Sequence, residues 1–218
     1  MMPLGDDNSS RKSTPYVTYI LLALNILFFF AELQGGMEFI QRWAFVPSRF
    51  SAHPWNNVIT LFTSMFMHGG WMHLAGNMLY LWIFGDNVED RLGRFKYILF
   101  YLLSGLAATL AQYVFVPDST IPNLGASGAI AGILGAYILL YPGQKVKVLV
   151  GQSIVLMPAL VVIGIWIFLQ LVSGAGTLYS VKNDEGGVAY MAHIGGFFVG
   201  LALAFIFRKT EGNKLSHP

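Results

Sequence analysis

Four polar side chains sit in stretches of this chain that are otherwise greasy enough for a lipid bilayer: His73, Asn77, Ser127 and His193. A serine hydroxyl is a weak nucleophile until a base takes its proton, and neutral imidazole is the usual base near neutral pH. Attack on a carbonyl then creates an oxyanion that needs preorganised donors. In this chain Ser127 is the candidate nucleophile and His193 the candidate base. The candidate oxyanion donors are the Ser127 backbone N–H, the His73 imidazole and the Asn77 amide. A helix opening at Ser127 adds its positive dipole end and unpaired N–H groups. The acids fall elsewhere. Asp86, Glu89 and Asp90 cluster at one end of a span, while Glu32, Glu38, Asp118, Asp184 and Glu185 lie in or near loops on the other side. The pair therefore reads as a Ser–His dyad.

Composition says what must position these residues. Of 218 residues, 55% are hydrophobic and only 11% charged, where a soluble domain carries about 25% charged. Most of the chain belongs in lipid. With no cysteine, disulfides and thiolate metal sites are excluded, and a net charge of +2 without a basic run gives no footing for nucleic acid. A spanning helix needs roughly 20 apolar residues. Six stretches qualify: 16–33, 71–88, 95–115, 127–141, 150–172 and 188–207, the fourth being short. The first is expected to stay in the protein, since its apolar core is too long for a signal peptide and no small-x-small cleavage site follows it. No lipidation signal is expected either.

Ten of the thirteen Lys and Arg fall on one side of this arrangement: Arg11, Lys12, Arg91, Arg94, Lys96, Lys145, Lys147, Arg208, Lys209 and Lys214. Arg42, Arg49 and Lys182 fall on the other. The positive-inside rule then places both termini in the cytoplasm. In that orientation His73 and Asn77 on the second span, Ser127 on the fourth and His193 on the sixth share one layer near the outer surface. The long connection 34–68, rich in aromatics, reads as an ordered element in the membrane interface. Ser127, Ala131 and Gly135 form one stripe flanked by Gly128 and Gly132. His193, Gly196 and Gly200 form another. Stripes of small residues let helix backbones approach closely in lipid, so the fourth and sixth spans are expected to touch at the faces carrying Ser127 and His193.

On these residues the chain resembles the rhomboid intramembrane serine proteases over nearly its full length. The matching motifs are "HGGWMHLAGN" (68–77), "GDNVEDRLG" (85–93), "GASG" (125–128) and "AHIGGFFVG" (192–200). The resemblance implies an all-α membrane fold, a bundle of six transmembrane helices with a long interfacial loop L1. It also implies hydrolysis of peptide bonds in or beside transmembrane segments. Ser127 then corresponds to the nucleophile, His193 to the general base, His73 and Asn77 to side-chain oxyanion donors, and Gly125 to the glycine two before the nucleophile. The fifth helix corresponds to the mobile side through which substrate enters. Two positions depart from patterns in the family. Ile59-Thr60 stand where some members have Trp-Arg, and Ala131 stands where some place an aromatic under the histidine.

Other readings compete. Ser127 could serve helix contact alone, and His193, His73 and Asn77 could be structural hydrogen-bonding groups. His68, five residues before His73 and off its face, reads as structural, as does Glu89. Metal ligation by His68, His73 and His193 is disfavoured by the i,i+5 spacing, and no cofactor is expected. A rhomboid-like binding or chaperone protein without proteolysis and a small transporter are the alternative functions. The expected organisation is a tail over 1–14, the helical domain over 15–208 and a tail over 209–218. Expected partners are transmembrane protein substrates and the lipid bilayer, in what is expected to be a prokaryotic plasma membrane. The physiological substrate and oligomeric state are not encoded in any motif.

Overall fold

The computed structural model of the protein describes residues 1–7, 9, 11–179 and 188–208. Lys182, Asp184, Glu185, Lys209 and Lys214, with the tail 209–218, lie outside the described residues. Strand β1 (Met2–Asp6) precedes helix α1 (Tyr16–Trp43). Three short helices follow, α2 (Pro47–Ala52), α3 (Pro54–Asn57) and α4 (Thr60–Thr63), and then the long helices α5 (Trp71–Leu92), α6 (Arg94–Phe115) and α7 (Ser127–Leu140). A hairpin of β2 (Lys145–Val150) and β3 (Ser153–Pro158) leads into α8 (Ala159–Tyr179), and α9 (Tyr190–Phe207) ends the described chain.

Among the described residues, four stretches are long and apolar enough to cross a membrane: Tyr16–Trp43, Arg94–Phe115, Ala159–Gly176 and Tyr190–Phe207. The chain is a multi-pass helical membrane protein. Helix α5 is 22 residues long and carries Asp86, Glu89, Asp90 and Arg91 in its last turns, while the apolar α7 has 14 residues. Helix α7 is the centre of the bundle. It packs against α5, α6, α8 and α9, and every residue from Gly128 to Tyr137 is buried.

Backbone contact holds the centre together. A Cβ on Gly196 would lie 2.1 Å from the Gly128 carbonyl oxygen, and one on Gly200 would lie 2.3 Å from the Gly132 Cα. Gly135 faces the Phe197 carbonyl oxygen in the same way, at 2.3 Å. The glycines are therefore the condition for α7 and α9 to lie against each other. Gly128 and Gly132 also admit Ala108 and Ser104 of α6, so one small-residue helix serves two neighbours.

The largest departures from the sequence expectation are the end of the first helix, the start of the fifth and a sheet that was not anticipated. Helix α1 does not end at residue 33 but resumes past Gly36, whose backbone (φ 56, ψ −145) interrupts the helix without ending it. The fifth helix begins at Ala159, not 150. Residues 145–158 form a hairpin turned at Gly151 (φ 61), and β1 pairs antiparallel with β2 to complete a three-stranded sheet. Summed hydropathy cannot tell an apolar strand from an apolar helix. The distinguishing signals were the alternation Lys-Val-Lys-Val, the Gly-Gln turn and Pro158.

At the end of the bundle remote from Ser127, acidic groups tie the first segment down. The Glu89 carboxylate accepts the Val17 and Thr18 backbone N–H groups and the Thr18 hydroxyl, capping α1 from a neighbouring helix. Arg11 pairs with Asp86 at 2.6 Å, and Asp90 accepts from Ser13. Asp6 of β1 accepts from Tyr137 of α7 at 2.6 Å and from Asn87 of α5. Burial, assisted by the nearby Asp86 carboxylate, pushes the Asp6 carboxyl up to about 6. The first residues are thus a strand bonded to the bundle, where the sequence suggested a tail.

Candidate active site

The loop before α7 sets the site. Gly125 has φ 131, a conformation side chains resist, and its N–H donates to the Ser64 carbonyl at 2.9 Å. Two residues earlier, the Asn123 N–H donates to the Phe45 carbonyl at 2.7 Å. Both carbonyls belong to the connection between α1 and α5, so that connection holds the chain where α7 begins. It is pinned in turn by Arg49, which donates to the Gln41 and Ala44 carbonyls, by Thr63 to Trp43, and by Thr60 to Asn57. Thr60 is buried and Ile59 exposed, so at these two positions the anchoring falls to a threonine hydroxyl.

Ser127 is the first residue of α7, and its hydroxyl lies 2.8 Å from His193 Nε2 on α9. The other ring nitrogen, Nδ1, lies 2.7 Å from Gln170 Oε1 on α8. An amide oxygen carries no proton, so Nδ1–H must donate to it. That leaves Nε2 with a lone pair directed at the Ser127 hydroxyl, which donates in turn. Trp166, one helical turn before Gln170, lies against the His193 ring with centroids 5.7 Å apart and planes 38° apart. The imidazole is held by an amide and an aromatic of α8, and Ala131 of α7 is buried without taking that part.

Helix α5 supplies the opposite wall. The Gly69 N–H points at His73 Nδ1 at 3.4 Å, a long contact that leaves Nε2 as the protonated nitrogen. A Cβ on Gly125 would lie 2.9 Å from His73 Nε2 and 3.6 Å from Ser127 Oγ. The missing side chain is thus the opening between serine and histidine. Asn77 is buried, and its Nδ2 donor has no hydrogen-bond partner among the described residues. A buried amide N–H left unpaired costs on the order of 1–3 kcal/mol, so its retention needs a reason.

His68 stands apart from the serine. Its ring meets that of His73 at 5.1 Å and that of Phe29 at 6.5 Å, both edge-on, and its backbone N–H donates to the buried Glu32 carboxylate at 3.0 Å. Glu32 lies on α1 rather than in a loop, because that helix continues. Among the described residues no three His, Cys, Asp or Glu side chains are grouped to hold a metal ion.

Gln170 and Trp166 are the site residues that sequence reasoning missed. Gln170 is the only amide side chain in Ala159–Tyr179, and a polar group inside an apolar span is a functional candidate by its cost alone. That signal was present in the sequence.

The Rhomboid domain family matches residues 55–210. The chain is 35% identical over 207 residues to rhomboid protease GluP of Bacillus subtilis (strain 168), covering 94% of this chain and 38% of that protein. It is 28% identical over 199 residues to Rhomboid protein 1, mitochondrial, of Saccharomyces cerevisiae, covering 89% and 54%. It is 29% identical over 148 residues to Rhomboid-like protein 11, chloroplastic, of Arabidopsis thaliana, covering 67% and 51%. The chain thus spans from 38% to 54% of the length of these relatives.

Proposed function

The chain belongs to the rhomboid family, and we propose that it is an intramembrane serine endopeptidase cleaving peptide bonds in or next to transmembrane segments. The observation that carries this reading is the 2.8 Å contact between Ser127 Oγ and His193 Nε2, with His73 Nε2 across the side-chain-free Gly125 from the same serine. The Ser127 proton passes to Nε2 as Oγ bonds to the scissile carbonyl carbon, and the carbonyl electron pair moves onto oxygen. His73 Nε2–H, Asn77 Nδ2–H and the Ser127 backbone N–H donate to that oxyanion. Collapse expels the amine, which takes the proton from Nε2, and water activated by the same base then releases the acyl group. Six helices cross the bilayer, both ends of the chain face the cytoplasm, and the site opens on the other side.

The test is hydrolysis of a reporter bearing a transmembrane segment by the purified protein in liposomes. Wild-type protein cleaves it and Ser127→Ala does not. Ion or solute flux without cleavage supports a transporter, and reporter binding without cleavage supports a binding protein. A Ser51→Cys variant, on the exposed connection between α1 and α5, is labelled by an impermeant reagent in intact cells. Labelling only after lysis overturns the orientation.

A further inference from the structure

We propose that Gln170 is a positioning residue that sets the tautomer of His193, so the base is competent only while α8 is seated against α9. This rests on the peptidase reading of Ser127 and His193. An imidazole offers its lone pair on one nitrogen and its proton on the other, and the hydrogen bond made by one decides the state of the other. The acceptor at Nδ1 is the Gln170 oxygen at 2.7 Å. In serine hydrolases with a buried acid, a carboxylate takes this place. A neutral amide does the same orienting work without placing a charge in lipid, where a carboxylate would be costly.

The position of the amide gives this a second consequence. Gln170 and Trp166 are four residues apart on one face of α8, and both touch the same ring. Helix α8 is the outlying member of the bundle: Leu160, Val161, Ile165, Phe168, Leu169, Leu171 and Val172 are all exposed. The atoms of α9 nearest a Cβ placed at Gly174 are the ends of flexible side chains, Ile194 Cδ1 and Met191 Cε, each at 3.1 Å, with Tyr190 Cβ at an ordinary contact distance of 3.4 Å. Movement of α8 away from α9 therefore removes the proton acceptor and the aromatic neighbour of His193 together, while Ser127 and His193 remain on helices locked backbone to backbone. The resting enzyme is disarmed whenever this side is open.

Gln170→Leu and Gln170→Glu separate orientation from packing, because glutamate keeps the acceptor oxygen and leucine does not. In protein whose wild type cleaves the reporter, Gln170→Leu lowers kcat roughly 10- to 100-fold, within the range of general-base contributions, with KM changed less than about twofold. Gln170→Glu retains most of kcat. Trp166→Leu combined with Gln170→Leu loses less than the product of the single effects, since both act through one ring. Independently of any kinetic variant, the ¹⁵N spectrum of wild-type His193, assigned by its loss in His193→Ala, shows the proton on Nδ1. In Gln170→Leu the proton populates Nε2. Wild-type kcat in Gln170→Leu, or a wild-type spectrum with the proton on Nε2, overturns the proposal while leaving the peptidase reading intact. A wild type that cleaves nothing while its His193 spectrum shows the proton on Nδ1 overturns the peptidase reading and keeps the tautomer assignment.

Discussion

Helix α9 meets its two neighbours in opposite ways. Against α7 the contact is backbone on backbone, with Gly128, Gly132 and Gly135 facing Gly196, Phe197 and Gly200. Against α8 it is made by side-chain ends: Gln170 and Trp166 on His193, Ile194 and Met191 around Gly174. Helices joined through glycine cannot shift without losing close contact along a whole stripe, whereas flexible side chains can leave and return. The Ser127–His193 hydrogen bond lies on the first seam, and the contacts of Gln170 and Trp166 with the His193 ring on the second. On the peptidase reading proposed above, this division would let a substrate enter by the α8 side without opening the Ser127–His193 seam.

The largest effect that could break the comparison is at the glycine seam. Gly200→Ala places a methyl 2.3 Å from the Gly132 Cα, where only backbone is available to move. The cost is expected at or above about 3 kcal/mol, the upper range for overpacked cores, read as loss of thermal stability in detergent. A fully stable Gly200→Ala would show that the seam can yield. The α5 wall belongs to the fixed half, and its test is kinetic. Asn77→Ala is expected to lower kcat by about 10², about 3 kcal/mol, with KM little changed. An unaltered kcat in the folded variant would make Asn77 a structural residue.

The far end of α7 sharpens the comparison through pH. Asp6 has its carboxyl raised to about 6 by burial, so the folded protein favours its protonated form. Its contribution is complete below its ordinary value of 3.8 and is lost as pH rises through about 6. The change amounts to at most about 3 kcal/mol. The melting temperature is therefore expected to fall between about pH 4 and 6 and to level off above that, and Asp6→Asn, which mimics the protonated carboxyl toward Tyr137, should flatten that dependence. An identical slope in Asp6→Asn removes Asp6 as its source. The smallest effect is expected at Gly174→Ala on the α8 seam, under about 1 kcal/mol, since its neighbours are flexible tips and alanine favours the helix. Destabilisation as large as that of Gly200→Ala would erase the distinction between the seams.

How far these features were legible in the sequence depends on what kind of signal each one left. Ser127, His193, His73 and Asn77 stood out because polar groups in apolar spans are costly, and their spacing placed them on defined faces. The glycine stripes of α7 and α9 were legible for the same reason, as period and residue type agreed. The sheet was not, because Val, Ile and Leu count equally in a strand and a spanning helix. Glu32 passed for a loop acid because Gly35-Gly36 reads as a stop, although only one residue leaves the helical region. The cost of an amide in an apolar span was a signal for Gln170, but the face it presents was not legible, because a helix apolar on all sides carries no periodic pattern to fix its rotation.

The central claim is that Ser127 is a nucleophile activated by His193, and a fluorophosphonate probe tests it most directly. With the protein folded in bilayers, one serine should be labelled in the wild type, and the modified peptide should contain Ser127. Labelling should vanish in Ser127→Ala and nearly vanish in His193→Ala, with the melting temperature of both variants close to that of the wild type. Labelling of a folded Ser127→Ala variant at the wild-type rate, or cleavage of the transmembrane reporter by it, would contradict the account.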